Sequence, residues 1–183
     1  YENGCIKRAT SLGTDVINVV NSLSEIPKII ESVKPVTVKG VLYIPKRAFY
    51  KLNHERRMLD QLVWKDMKSA LIQTLRSTES LTKVFDLDLS FFADGYIQED
   101  VTFDRERERF ELLRGLGFTV LQESYFSVFK GQGEIKVPRD LPFFTEGIVI
   151  RLNRNSDRSL LDGVDVIYKL VKHSSFVIQF IER

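Results

Sequence analysis

The sequence predicts an α+β fold in which mixed or antiparallel sheets are interleaved with short helices. Short β-branched runs alternate irregularly with short amphipathic segments, without the regular strand–helix repeat of a doubly wound fold. The 183 residues are 43% hydrophobic and include 13 Phe, which is enough for a sizeable core. We therefore interpret residues 1–183 as one domain or one large part of a domain.

The first elements follow from periodicity and from proline. Val16, Val19 and Leu23 recur at helical spacing, which indicates a short amphipathic helix. Residues 36–44 alternate and are β-branched, which favours a strand. Pro45 ends that strand and suits the first turn of a following helix.

The middle of the chain predicts two more helices and a strand. The helix after Pro45 carries a basic stretch, residues 54–57, which we interpret as a solvated face. A second helix runs from Trp64 to about Thr78. Residues 87–93 form a strand that Asp94-Gly95 should end in a turn. In residues 104–113, charges of alternating sign lie three and four apart, which is typical of an exposed helix face.

The run from Phe143 to Asn153 is the strongest strand signal, because it is apolar, β-branched and bounded by polar residues. Glu146 and Gly147 stand at its start and Arg151 near its end. In an unbroken strand, Glu146 and Arg151 would point to opposite faces. They share a site only if Glu146 precedes the regular strand or Gly147 forms a bulge. Residues 164–171 and 176–181 predict two further strands.

Composition excludes several classes of protein. Basic and acidic residues nearly balance, 27 against 25, so a nucleic-acid site would have to be a local patch. One Cys and two His leave no zinc cluster and no basis for a Ser-His-Asp triad. The single Cys is compatible with a reducing cytosol. No apolar run approaches the ~20 residues of a membrane span, so we expect no membrane partner.

Several stretches, in this order along the chain, resemble the adenylation (nucleotidyltransferase) domain of NAD-dependent DNA ligases. YENG at residues 1–4 is similar to the strand that follows the family's K-x-D-G nucleophile motif. VKGVLYIP at 38–45 is similar to VRGEVYMP, and LSFFADG at 89–95 to L-x-F-F-x-Y-G. LPFFTEGIVIR at 141–151 is similar to LPYEIDGVVIK, and IYKL at 167–170 to the A-x-K-F strand.

The resemblance implies a nucleotidyltransferase (ATP-grasp-like ligase adenylation) fold, incomplete at its N-terminus. It implies nick sealing in DNA repair and replication through a lysine-AMP intermediate, with NAD as AMP donor and Mg²⁺ present. Glu146 would be the acidic residue of the nucleotide and metal site, and Lys169 would lie near the α-phosphate. Arg151 and Arg76 would contact the nucleotide or DNA phosphate. Partners would be nicked duplex DNA and a segment or second chain carrying K-x-D-G, in the cytoplasm or nucleoid.

Departures from the family pattern keep a second hypothesis open. Val41 replaces a nucleotide-binding glutamate, Asp94 replaces an aromatic residue, and Arg151 replaces a lysine with a differently shaped cation. The chain also contains no K-x-D-G. It is therefore either part of a DNA ligase or a catalytically degenerate ligase-like module used for binding or assembly.

Overall fold

A computed structural model describes residues 1–11, 13–76, 88–121, 141–145, 147–150, 154, 156 and 166–169. Of residues 76, 147–150 and 166–169 it describes the backbone alone. The strands are β1 (Thr10–Ser11), β2 (Thr14–Asp15), β3 (Val36–Tyr43), β4 (Ser90–Gln98), β5 (Gly147–Ile150) and β6 (Val166–Lys169). The helices are α1 (Ile17–Ser22), α2 (Lys46–Met58), α3 (Met67–Arg76) and α4 (Glu106–Gly115).

The strands pair two by two, as β1–β2, β3–β4 and β5–β6, and every pair is antiparallel. One isolated parallel bridge, Ala93 to Val120, adds the chain after α4 to the edge of β4. The predicted α+β class with short helices and antiparallel pairing is thus confirmed.

The core lies on one face of the β3–β4 pair. Val36 and Ala93 are buried there, with Val38 and Leu42 packed against them. Leu113 of α4 and Ala70 of α3 are fully buried in the same cluster. Tyr1 closes one side through a pair of backbone hydrogen bonds with Val36, at 2.7 and 3.0 Å.

The turn predicted at Asp94-Gly95 is wrong, because β4 runs through both residues to Gln98. Lys39 pairs with Gly95 and Gly40 pairs with Ala93, so Asp94 is the additional residue of a bulge. A bulge and a tight turn both favour Gly next to a short polar residue. The eight-residue partner β3 decides between them, because it offers backbone partners on both sides of Asp94.

The second predicted helix begins later than expected, at Met67 rather than Trp64. Asp66 caps it by accepting hydrogen bonds from the backbone N–H and the hydroxyl of Ser69, at 2.7 and 3.0 Å. Those hydrogen bonds lower the pKa of Asp66. Trp64 is held outside the helix, because the buried side chain of Asn53 bonds both its backbone N–H and its carbonyl, at 2.8 and 3.0 Å. The predicted end at Thr78 lies outside the described residues.

Three other expected strands are confirmed over the residues that the structure describes. The strand expected at 36–44 ends at Tyr43, and α2 begins at Lys46, directly after Pro45. The strands expected at 143–153 and 164–171 appear as β5 and β6. The strand expected at 176–181 lies outside the described residues. Among the described helices, none is long and apolar enough to cross a membrane.

Candidate functional site

The face of β3–β4 opposite the core, which we call the outer face, is partly open. Val41 pairs with Phe92 and Tyr43 pairs with Ser90, and side chains of paired residues share a face in antiparallel sheets. Val41 keeps 41% of its surface exposed. An exposed apolar side chain beside aromatic rings is a suitable surface for a flat, weakly polar ligand.

Three aromatic rings cluster at the end of this face. The ring centroids of Tyr43 and Phe92 lie 5.8 Å apart, and Phe143 lies 5.4 and 5.7 Å from them. The segment carrying Phe143 is held against α2, since the backbone N–H of Lys46 donates to the carbonyl of Pro142 at 2.8 Å. The start of the predicted nucleotide-binding stretch is thus fixed to the outer face.

Lys46 is a candidate site residue that sequence reasoning missed. Its ammonium lies 5.3 Å from the ring centroid of Phe144, where the chain approaches β5. Phe144 also packs edge-on against Phe49 and Tyr50, with centroids 6.1 and 5.9 Å away. The available signal was its position at the first turn of the predicted helix after Pro45. The packing of residues 141–145 on that turn is a long-range contact, which periodicity does not reveal.

Gly40 permits the close packing beneath the outer face. A Cβ atom at this position would lie 2.2 Å from Cζ of Phe91 and 2.4 Å from the carbonyl oxygen of Phe92. No other residue could let the Phe91 ring cross β3 here without a shift of the strand. A side chain at this position would therefore displace the Phe91 ring or the backbone of Phe92.

The register of β5–β6 brings together two stretches that were predicted to share a site. Gly147, which follows Glu146 in the chain, is the direct backbone partner of Lys169. Glu146 and Arg151 themselves lie outside the described residues, and Arg76 and Lys169 are described only in their backbone, as the ends of α3 and β6. Glu146 and Arg151 share a site only if Glu146 precedes the regular strand or Gly147 forms a bulge, and this expectation remains a prediction.

No group of three or more His, Cys, Asp or Glu side chains that could hold a metal ion occurs among the described side chains. Tyr43, Phe92 and Phe143 can offer a base an aromatic surface, and Lys46 can offer a phosphate a cation. The described part of the site thus fits a nucleotide base better than it fits a metal ion.

Comparison with known proteins identifies the family of this chain. Residues 1–162 match the model of the NAD-dependent DNA ligase adenylation domain. The chain belongs to this family. Among adenylation-domain relatives, the DNA ligase of Lactobacillus delbrueckii subsp. bulgaricus is 28% identical over 165 residues, which are 84% of this chain and 24% of the relative.

Two further relatives are also DNA ligases. The DNA ligase of Mycoplasma capricolum is 28% identical over 185 residues, 94% of this chain and 27% of the relative. The DNA ligase of Oenococcus oeni is 29% identical over 167 residues, 84% of this chain and 24% of the relative. This adenylation-domain chain spans about a quarter of the length of these relatives. Two of its departures from the family pattern, Val41 and Asp94, both lie on the β3–β4 pair.

Proposed function

We propose that this chain is part of an NAD-dependent DNA ligase and forms one wall of its AMP site. The observation that carries the proposal is the family match over residues 1–162. The half-buried aromatic cluster at the end of the outer face supports it, because adenine is flat and stacks on aromatic rings. A nucleotidyltransferase fold, completed by a segment carrying K-x-D-G, is the finer architecture we propose. Its working compartment would be the cytoplasm or nucleoid.

In the reaction that we propose, a lysine outside this chain attacks the α-phosphorus of NAD. Nicotinamide mononucleotide leaves with the electrons of the broken pyrophosphate bond, and AMP remains on the lysine nitrogen. AMP then passes to the 5′-phosphate at a nick in DNA. Attack by the adjacent 3′-hydroxyl releases AMP and closes the strand.

This chain would contribute cations and a carboxylate to those steps. We assign Lys169 to the α-phosphate, where a positive charge offsets the charge that develops in the transition state. Its backbone pairing with Gly147 supports a shared site with Glu146. Glu146 would bind the nucleotide and Mg²⁺, which would offset phosphate charge when present. Arg151 and Arg76 would bind the nucleotide or the DNA phosphate.

Reconstitution tests this proposal directly. The chain is mixed with a polypeptide carrying K-x-D-G, and transfer of labelled AMP from NAD to protein is followed, then sealing of nicked duplex. Lys169→Gln and Glu146→Gln should each lower AMP transfer by 10²-fold or more, on the order expected for loss of one group that stabilises the transition state. Lys7→Gln, an exposed lysine, is the matched control. Wild-type mixtures that form no adenylate and seal no nick would refute the proposal.

Val41 supports a second candidate, a degenerate module kept for binding or assembly. It places an exposed methyl surface on the outer face at the position of the family's nucleotide-binding glutamate. In that case, calorimetric titration with AMP and NAD should show no binding that depends on Glu146 and Lys169. Binding that both substitutions weaken would exclude the degenerate module.

A further inference from the structure

The positive charge of this chain is concentrated in one helix. α2 contains five Lys or Arg residues and one acidic residue. The whole chain contains 27 basic and 25 acidic residues, so the remainder has 22 basic and 24 acidic residues. α2 therefore holds more than the entire net positive charge of an otherwise slightly acidic chain. Such a concentration makes a local anion-binding surface although the total charge is near zero.

The charges of α2 lie on its solvent side. Helical spacing puts Arg47, Tyr50, Lys51, His54 and Arg57 on one side, which we call the basic face, and all five are exposed. On this face Lys51 forms an ion pair with Glu55 at 3.9 Å, and both side chains are exposed, so the pair is weakly coupled.

Arg56 shows the contrast within the same helix. Its guanidinium lies 4.7 Å from the ring centroid of Trp64, and its Nε donates to the carbonyl of Leu62 at 2.6 Å. This arginine supports the fold. Arg47 and Arg57 lie on the basic face instead, and their side chains form no hydrogen bond or ion pair with the described residues.

The opposite side of α2 is occupied by the core. Phe49 and Asn53 are buried, so this side of the helix faces the core and not a bilayer. The basic face is also continuous with the candidate nucleotide site. Tyr50 packs on Phe144, and the backbone N–H of Lys46 donates to the carbonyl of Pro142. An anion bound to the basic face would thus lie next to the proposed AMP site.

The geometry points to the basic face of α2 as a contact surface for the phosphate backbone of duplex DNA. The inference rests on the proposed ligase function and adds the place where the duplex lies. From Arg47 to Arg57 the helix rises about 15 Å, enough to meet several successive phosphates of one strand. Arg, Lys and Tyr side chains are ordinary donors to phosphate oxygens, and these contacts position a duplex without reading its sequence.

Fluorescence anisotropy of the full chain with a labelled nicked duplex, over a range of salt concentrations, tests the inference. The variant R47Q/K51Q/R57Q should bind roughly 10- to 100-fold more weakly at moderate salt, and its log–log salt slope should fall by about 2 to 3. The control K7Q/R8Q/R114Q removes the same charge from exposed positions elsewhere and should leave the slope unchanged. The charge-retaining variant R47K/K51R/R57K should bind within a few-fold of wild type.

Three results would overturn the inference. They are an equal loss in the α2 variant and its control, an unchanged salt slope in the α2 variant, or no affinity of wild type for duplex. Binding to phosphatidylserine vesicles but not to duplex, lost in R47Q/K51Q/R57Q, would assign the face to a membrane surface instead. AMP transfer from NAD in the reconstituted mixture should survive R47Q/K51Q/R57Q, so failure here and failure of the proposed function are distinguishable.

Discussion

Glu106 and Arg109 form an ion pair across one turn of α4, with side chains only 10% and 14% exposed. The mixed-charge pattern of this helix predicted an exposed face, and for Glu106 that prediction is wrong. Arg107 and Glu111 in the same helix do behave as predicted, as an exposed pair at 3.0 Å. The helix therefore carries a nearly buried ion pair and an exposed ion pair that overlap in sequence.

Glu106→Gln should lower the free energy of unfolding by about 2–4 kcal/mol, because it removes the negative charge that Glu106 places beside the nearly buried Arg109 guanidinium. Glu111→Gln should cost no more than about 0.5 kcal/mol, because solvent screens the exposed pair. Urea unfolding monitored by circular dichroism measures both values. Equal losses in the two variants would show that burial does not distinguish these pairs.

Gly40→Ala should destabilise the chain by about 1–3 kcal/mol, since the new methyl group must displace Phe91 or the backbone of Phe92. Near-ultraviolet circular dichroism should change as well, because Phe92 belongs to the aromatic cluster with Tyr43 and Phe143. Gly115→Ala is the control, as nothing lies within 4 Å of its added Cβ and it sits in a helix. It should be neutral or stabilise by up to ~1 kcal/mol. A Gly40→Ala protein as stable as wild type would contradict the close packing.

Periodicity and proline were enough to predict most elements of this fold. β3 and α2 follow from alternation, from β-branching and from Pro45, all of which act within a few residues. The errors arise where a distant partner decides. Asp94 becomes a bulge because β3 is available to pair with it, and Trp64 is kept out of α3 by the side chain of Asn53.

Part of the candidate site could likewise be predicted from the sequence, and part depends on distant contacts. The sequence predicted a site around Glu146 and Lys169, and the β5–β6 register supports the proximity of their stretches. It did not predict Lys46, because this lysine joins the site through the packing of residues 141–145 on α2. The basic stretch at residues 54–57 of α2 was interpreted as a solvated face. Only the burial of the opposite side and the acidic balance of the rest of the chain make it a specific surface.

Burial raises the pKa of Tyr1 from 10.0 to about 12. Its hydroxyl donates to the carbonyl of Pro27 at 2.6 Å, and its ring packs edge-on against Phe118. The raised pKa means that the folded state favours the neutral phenol. This stabilisation is present in full below pH 10 and is lost as the pH rises from 10 to 12, because the unfolded chain ionises first.

Tyr1→Phe should therefore flatten the fall in stability between pH 10 and 12, although it loses one hydrogen bond at neutral pH. Urea midpoints measured across this range for wild type and variant give the two slopes. Tyr50→Phe, which removes a phenol from a residue that is 61% exposed, is the control for the loss of a phenol as such. If Tyr1→Phe follows the wild-type slope, the phenol of Tyr1 does not control stability at alkaline pH.

Val41→Glu would place a carboxylate on the outer face, at the position where the sequence resemblance puts the family's nucleotide-binding glutamate. The site accepts it sterically, because Val41 is 41% exposed, and an exposed substitution should change stability by no more than about 0.5 kcal/mol. A charged acceptor for a nucleotide hydroxyl or amine is worth about 1.5–3 kcal/mol, so calorimetry should show roughly tenfold or greater gain in affinity for AMP.

Ile97→Glu tests whether the effect of a new carboxylate depends on its position on the outer face. Ile97 pairs with Thr37 on the same face of the β3–β4 pair and is 52% exposed, but it lies beyond the bulge at Asp94, away from the aromatic cluster. A carboxylate there should leave affinity for AMP unchanged or lower it slightly through repulsion of the phosphate. Equal effects of the two glutamates would mean that the outer face near Val41 does not bind the nucleotide. A gain confined to Val41→Glu would mean that the site persists and has lost only one ligand group.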